Sequence, residues 1–118
     1  MSTKKISSST VYNPKILLVG IYAPYNKIKN MEAYFDEFLS LVNTLGLQYE
    51  KTLFLKIRTV DKANFLTKGK LKEVVEVCEK NNIEEVIFSE SLSPLQERNL
   101  EEMLDCKVWD LSLIHISE

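Results

Sequence analysis

The architecture turns on Lys15-Ile16-Leu17-Leu18-Val19-Gly20, an unbroken aliphatic run closed by a glycine. A strand with one wet face alternates apolar and polar residues. A continuous run needs cover on both sides, which is the situation of an inner strand in a parallel sheet flanked by helices. Residues 21–29 read as a loop, and Asn30 then caps a helix with apolar positions at Met31, Tyr34, Phe35, Phe38, Val42 and Leu45. Gly46 supplies its left-handed stop. From Leu47 to Ile57 an imperfect alternation predicts a half-buried strand nearer a sheet edge. After a basic loop, Leu71, Val74, Val75 and Cys78 give a second helix its apolar face, ending at Asn81-Asn82. Glu85-Val86-Ile87-Phe88 is a third short strand.

Ser93, Pro94 and Gln96 form the clearest local signature: a cap, a proline at the first helical position and the glutamine of a capping box. Leu95, Leu100, Met103 and Leu104 are the stripe this helix is expected to bury, and Lys107-Val108-Trp109 the fourth strand. Strands and helices alternating with right-handed crossovers predict a small three-layer α/β domain. Its four-stranded, mainly parallel sheet is expected in the order 2-1-3-4, with helices on both faces. The serine-rich residues 1–13 read as a flexible N-terminal arm, residues 14–110 as the domain and residues 111–118 as a tail.

A chain of 118 residues with 45% apolar and 27% charged residues is an ordinary globular domain, which excludes disordered, collagen-like and disulfide-scaffold classes. The longest aliphatic run, Ile16 to Val19, falls far short of the roughly 20 residues that cross a bilayer. Nothing at the start resembles a signal peptide, so a cytoplasmic protein without a membrane partner is expected. Cys78 and Cys106 lie far apart in separate predicted helices with no other soft ligands beside them, and are expected to be reduced, buried thiols.

The net charge of −2 hides a polarity. Residues 1–72 carry twelve Lys and Arg against five acids, while residues 73–118 carry three against twelve. Basic character concentrates in Lys4 to Lys29 and in Lys51 to Lys72, the second containing Lys56, Arg58, Lys62, Lys68 and Lys70, and a phosphate-rich partner would be met there. Chemistry is otherwise sparse. Gly20 lacks the further glycines of a dinucleotide turn. Thr67-Lys68-Gly69-Lys70 precedes a helix, yet Asn64 and Leu71 stand where a P-loop needs glycine and Ser or Thr. His115 has no nucleophile at a recognisable spacing, and the pairs Glu84-Glu85 and Glu101-Glu102 read as solvated faces. No catalytic residue and no metal site is therefore expected. Gln96 and Asn99, three positions apart, put two amides on one helical face, suited to ordering the preceding loop or meeting a partner.

Ile16-Leu17-Leu18-Val19-Gly20, Phe65-Leu66-Thr67-Lys68-Gly69-Lys70-Leu71 and Leu92-Ser93-Pro94-Leu95-Gln96-Glu97-Arg98-Asn99-Leu100, with Val108-Trp109-Asp110 in place of Val-x-Asp, together resemble the N-terminal domain of HflX-type GTPases. The resemblance covers about residues 15–110, and departs from the family at Thr67, where a glycine is usual. It implies a parent protein that binds the large ribosomal subunit, hydrolyses GTP and splits ribosomes under stress. GTP and magnesium then belong to a GTP-binding domain absent from this chain, and no cofactor is expected in these residues. The domain itself is expected to be a ribosome-contacting accessory module, whose partners are the large subunit and its RNA and the helical and GTP-binding domains of the parent. Arg58, Lys62, Lys68 and Lys70 are the expected RNA contacts. Gly20, Gly69, Ser93, Pro94, Gln96, Asn99 and Asp110 are signature positions of structural character. Family members continue with Arg-Thr after the aspartate. Here Leu111 to Glu118 resembles translated adapter sequence, so a foreign or truncated tail is expected. The alternative reading is an autonomous ATP- or GTP-binding domain with weak ATPase or RNA-remodelling activity, its ligand near Gly20 and Ser89.

Overall fold

The computed structural model describes residues 14–26 and 30–111. The expected N-terminal arm and residues 112–118 of the tail, His115 included, lie outside the described residues. The elements run β1 (Ile16–Tyr22), α1 (Met31–Thr44), β2 (Lys51–Lys56), α2 (Lys68–Lys80), β3 (Glu85–Phe88), α3 (Pro94–Leu104) and β4 (Lys107–Asp110). The strands form one sheet in the order β2-β1-β3-β4, and every pairing is parallel.

Side chains alternate across β1 and so feed two separate cores. Leu17, Val19 and Ile21 join Val74 and Cys78 of α2 and Leu100 and Leu104 of α3 on one face. Ile16 and Leu18 join Phe38 and Val42 of α1, with Ile87, on the other. Each fully buried aliphatic side chain contributes about 1.5–3 kcal/mol of transfer free energy, so the two faces together account for the run that opens the domain.

Local signals hold where they are short-range. The Asn30 side chain accepts from the Ala33 amide at 3.0 Å, and Gly46 takes φ +78° just past the end of α1. Both halves of the capping box are present at Ser93 and Gln96.

Four expectations are corrected. Gly20 does not close β1, which continues to Tyr22. Its missing Cβ instead makes room for the rings of Phe35 and Phe54, stacked with centroids 4.3 Å apart. Leu95 and Met103 are exposed at 44% and 37%, and the buried positions of α3 are Gln96, Leu100 and Leu104. The turn of α3 that meets the sheet is thus shifted by one residue, with a polar side chain inside.

Of the four acids expected on solvated faces, Glu85 and Glu101 are instead drawn in at the amino-terminal end of the sheet, where Glu84, though exposed as expected, also bonds to the backbone. Glu84 accepts from the Lys15 amide at 2.9 Å, Glu101 from the Val108 amide at 3.0 Å and buried Glu85 from the Trp109 indole at 3.0 Å. Glu102 stays on the exposed face of α3, as expected. Finally, Cys106 belongs to the turn before β4 rather than to a helix, and it lines one recess together with Cys78.

Candidate functional site

An open parallel sheet collects ligands at the carboxyl ends of its strands, where successive connections leave toward opposite faces. Here that point lies between β1, whose chain departs to α1, and β3, whose chain departs to α3 on the other face. The crevice is occupied by the protein's own polar groups. The Ile21 amide donates to the Ser89 hydroxyl at 2.8 Å. The Tyr34 hydroxyl donates to the Glu90 carboxylate, which leaves Ser89 to donate to Tyr34 across 2.7 Å. The Asn26 amide donates to the same carboxylate at 3.0 Å. Tyr22 meets the Tyr34 ring edge-on. Burial, then the neighbouring Glu90, pushes the Tyr25 phenol up to about 12, and burial drives Tyr34 higher as well. A carboxylate at the centre of this network presents the wrong charge to a phosphate.

The second place is the loop between β2 and α2. Asp61 turns it: its carboxylate accepts from the amides of Ala63 and Asn64, at 2.9 and 2.7 Å, and its backbone pairs with Phe65 in an isolated bridge. Phe65 adopts φ +68°, which sends its ring and Leu66 into the core, where Phe65 lies edge-on to Phe88.

From the other side α3 holds the loop by its two amides. Gln96 donates to the Asp61 carbonyl at 2.8 Å while its oxygen completes the cap on Ser93, and Asn99 donates to the Ala63 carbonyl at 2.9 Å. Asp110 accepts from the Leu92 amide at 2.8 Å and so fixes the entry to α3. Gln96, Asn99, Ser93 and Asp110 thus engage their side chains in hydrogen bonds to the backbone of this region.

The four candidate cations sit along this fixed segment. Arg58 and Lys62 project from the loop and are exposed, and Lys68 and Lys70 lie in the first turn of α2, which begins at Lys68. Lys70 approaches Glu73 at 3.9 Å on an exposed face. Among the described residues no acid pairs with the other three. Gly69 faces open space, with nothing within 4 Å of the point where a Cβ would stand, so the fold makes no steric demand for glycine there.

Beside the loop, at the carboxyl ends of β1 and β2, a cleft of about 230 Å³ is floored by Ala23, Pro24, Ile57 and Tyr22 and rimmed by Lys56 and Arg58. Sequence reasoning places Lys56 in the same basic stretch but not among the four expected contacts. The signal for it lies in Lys56-Ile57-Arg58, a buried residue between two outward cations.

Fold and loop together define a small parallel α/β domain whose β2–α2 loop is held by α3. The family model described as "GTP-binding GTPase N-terminal" matches residues 32–114, and the chain belongs to that family. Its relatives are HflX proteins: the chain is 34% identical over 94 residues to GTPase HflX of Escherichia coli, 80% of this chain and 21% of that one. It is 28% identical over 105 residues to GTPase HflX of Flavobacterium psychrophilum, 89% and 25% respectively. The chain therefore spans about a fifth to a quarter of the length of these relatives. A crystal structure of a mutation variant of SsGBP shares the fold, with TM-score 0.57 at 18% identity over 81% of this chain and 28% of the other. Among the described residues no helix is long and apolar enough to cross a membrane.

Proposed function

We propose that this domain is the ribosome-contacting accessory module of an HflX-type GTPase, acting in the cytoplasm on the large ribosomal subunit. Its RNA-facing surface is the loop from Arg58 to Thr67 with the first turn of α2. One observation carries the reading: two side-chain amides of α3, Gln96 and Asn99, hold a loop from which Arg58 and Lys62 project, with Lys68 just beyond it, and among the described residues none of these three cations has an acidic partner. Unpaired cations on a fixed backbone suit phosphate contacts, because little ordering entropy remains to be lost on binding. The cleft edged by Lys56 and Arg58 adds an apolar face where an unstacked base would rest.

The family's GTP and magnesium are assigned to parts of the protein other than these residues. Asn64 and Leu71 replace the glycine and the hydroxyl of a phosphate loop, and among the described residues no three metal-ligating side chains converge. Ribosome splitting is a property proposed for the whole protein, with this domain supplying adhesion.

The test is binding of ribosomal RNA or large subunits across a salt series. Each phosphate contact contributes about 0.7–0.9 to the log–log slope, so Lys68→Glu with Lys70→Glu lowers the slope by roughly 1.4–1.8. Stability changes by less than about 0.5 kcal/mol, because both side chains are on the surface. Binding without a salt slope, or unchanged in the double variant, rejects this surface.

A further inference from the structure

Cys78 and Cys106 stand 28 positions apart in the chain. The fold lays α2 and α3 on the same face of the sheet, and this brings both cysteines to the wall of one recess of about 210 Å³, with Ile83, Met103 and Leu104 around them. Cys106 packs against the cluster that holds Cys78 and Ile83, and its thiol donates to the Ile83 carbonyl at 3.1 Å, which keeps the two sulfurs in one neighbourhood. Cys78 is almost fully buried, whereas Cys106 is half-buried and reachable from solvent. Glu79 and Asp105 line the same recess, but among the described residues no three His, Cys, Asp or Glu side chains are placed to hold a metal ion, which leaves the chemistry of sulfur with sulfur.

We propose that Cys78 and Cys106 are a dithiol that closes reversibly to a disulfide, tying the end of α2 to the turn that opens β4. The oxidant is a small-molecule disulfide of the glutathione type. The Cys106 thiolate attacks one sulfur of that disulfide and expels the first small thiolate, leaving a mixed disulfide on Cys106. The Cys78 thiolate then attacks the Cys106 sulfur and expels the second. One S–S bond forms within the protein and one breaks in the oxidant. The two protons released by the cysteines end on the two small thiols, and the two electrons end with them. Cys106 leads because it is accessible, and Cys78 resolves because its partner is already beside it. The closed form constrains a loop of 28 residues in the unfolded chain and so favours the folded state.

Equilibration of the whole chain with mixtures of reduced and oxidised glutathione, followed by acid quenching and intact-mass measurement, tests this. The expected product is a monomer about 2 Da lighter than the reduced chain, reopened by excess thiol. Its melting temperature is higher by about 5–15 °C. Cys78→Ser, which removes the resolving thiol, is expected to stop at the glutathione adduct on Cys106. A natural-sequence chain that stops at that adduct, pairs between molecules, or closes only after unfolding in urea overturns the proposal.

Discussion

Gly20 lies mid-strand under two rings that come from different elements, Phe35 of α1 and Phe54 of β2. A Cβ there would stand 2.9 Å from a ring carbon of each, closer than carbon atoms pack. One ring must therefore move. Phe54 is exposed on an edge strand while Phe35 is buried, so Phe54 gives way and the stack opens. Gly20→Ala is expected to cost about 1–3 kcal/mol, read as a lower urea midpoint at unchanged slope. Adding Phe54→Leu, which removes the ring that obstructs, should return part of the loss. A simple sum of the two single effects would mean that the contact is not the reason for the glycine. The sequence announces a glycine at this position but not what lies over it, because a ring from the neighbouring strand leaves no trace in local periodicity. Gly69 shows the converse: it is a signature glycine, yet the fold around it is open.

At the scale of elements, what is readable in the sequence is local. The caps of α1 and α3 and the Pro94 start are written within a few residues, and the structure keeps each of them. What the amides of α3 grip is not readable, since their partners lie 35 and 36 positions away. Residue type at three-residue spacing places Gln96 and Asn99 on one face of the helix. Only the packing of α3 beside the β2–α2 loop shows that this face holds the backbone of Asp61 and Ala63. The misplaced hydrophobic stripe has the same origin: Leu95 is a core residue by type, but the loop's need for a donor puts Gln96 inward in its place.

This arrangement makes the loop's order depend on α3. Asn99→Ala removes the donor to the Ala63 carbonyl and to the Asn64 side chain, and should cost about 0.5–1.5 kcal/mol of global stability. Its larger effect is local. Amide hydrogen exchange over Ala63 to Leu66 is expected to accelerate well beyond the change seen in β1, and RNA affinity to fall although no cation has been altered. Equal acceleration everywhere would mean that Asn99 supports the domain as a whole and not the loop.

Across the whole molecule, the proton affinities of its buried acids set how the fold responds to alkali. Burial pushes the Cys78 thiol from 9.0 up to about 12 and the Tyr25 phenol from 10.0 up to about 12, and it raises Tyr34 and Cys106 in the same direction. All four groups hold their protons more tightly folded than unfolded. Between the unfolded and folded values the folded state binds more protons, so stability must fall as pH rises. The contribution of these groups is fully present below about pH 9, and it is lost progressively between about pH 9 and 12, at no more than about 1.4 kcal/mol per pH unit for each group. Tyr25 is 53% exposed, so solvent screening makes its share small, and Cys78 and Tyr34 dominate. Urea midpoints measured from pH 7 to 11 should therefore hold level at first and then drop. Tyr34→Phe, which cannot ionise, should flatten the drop even though it loses the bonds to Ser89 and Glu90 and starts from lower stability. A midpoint that stays level through pH 11, or a Tyr34→Phe profile parallel to that of the parent, would show that the phenol in the β1–β3 crevice ionises as freely folded as unfolded.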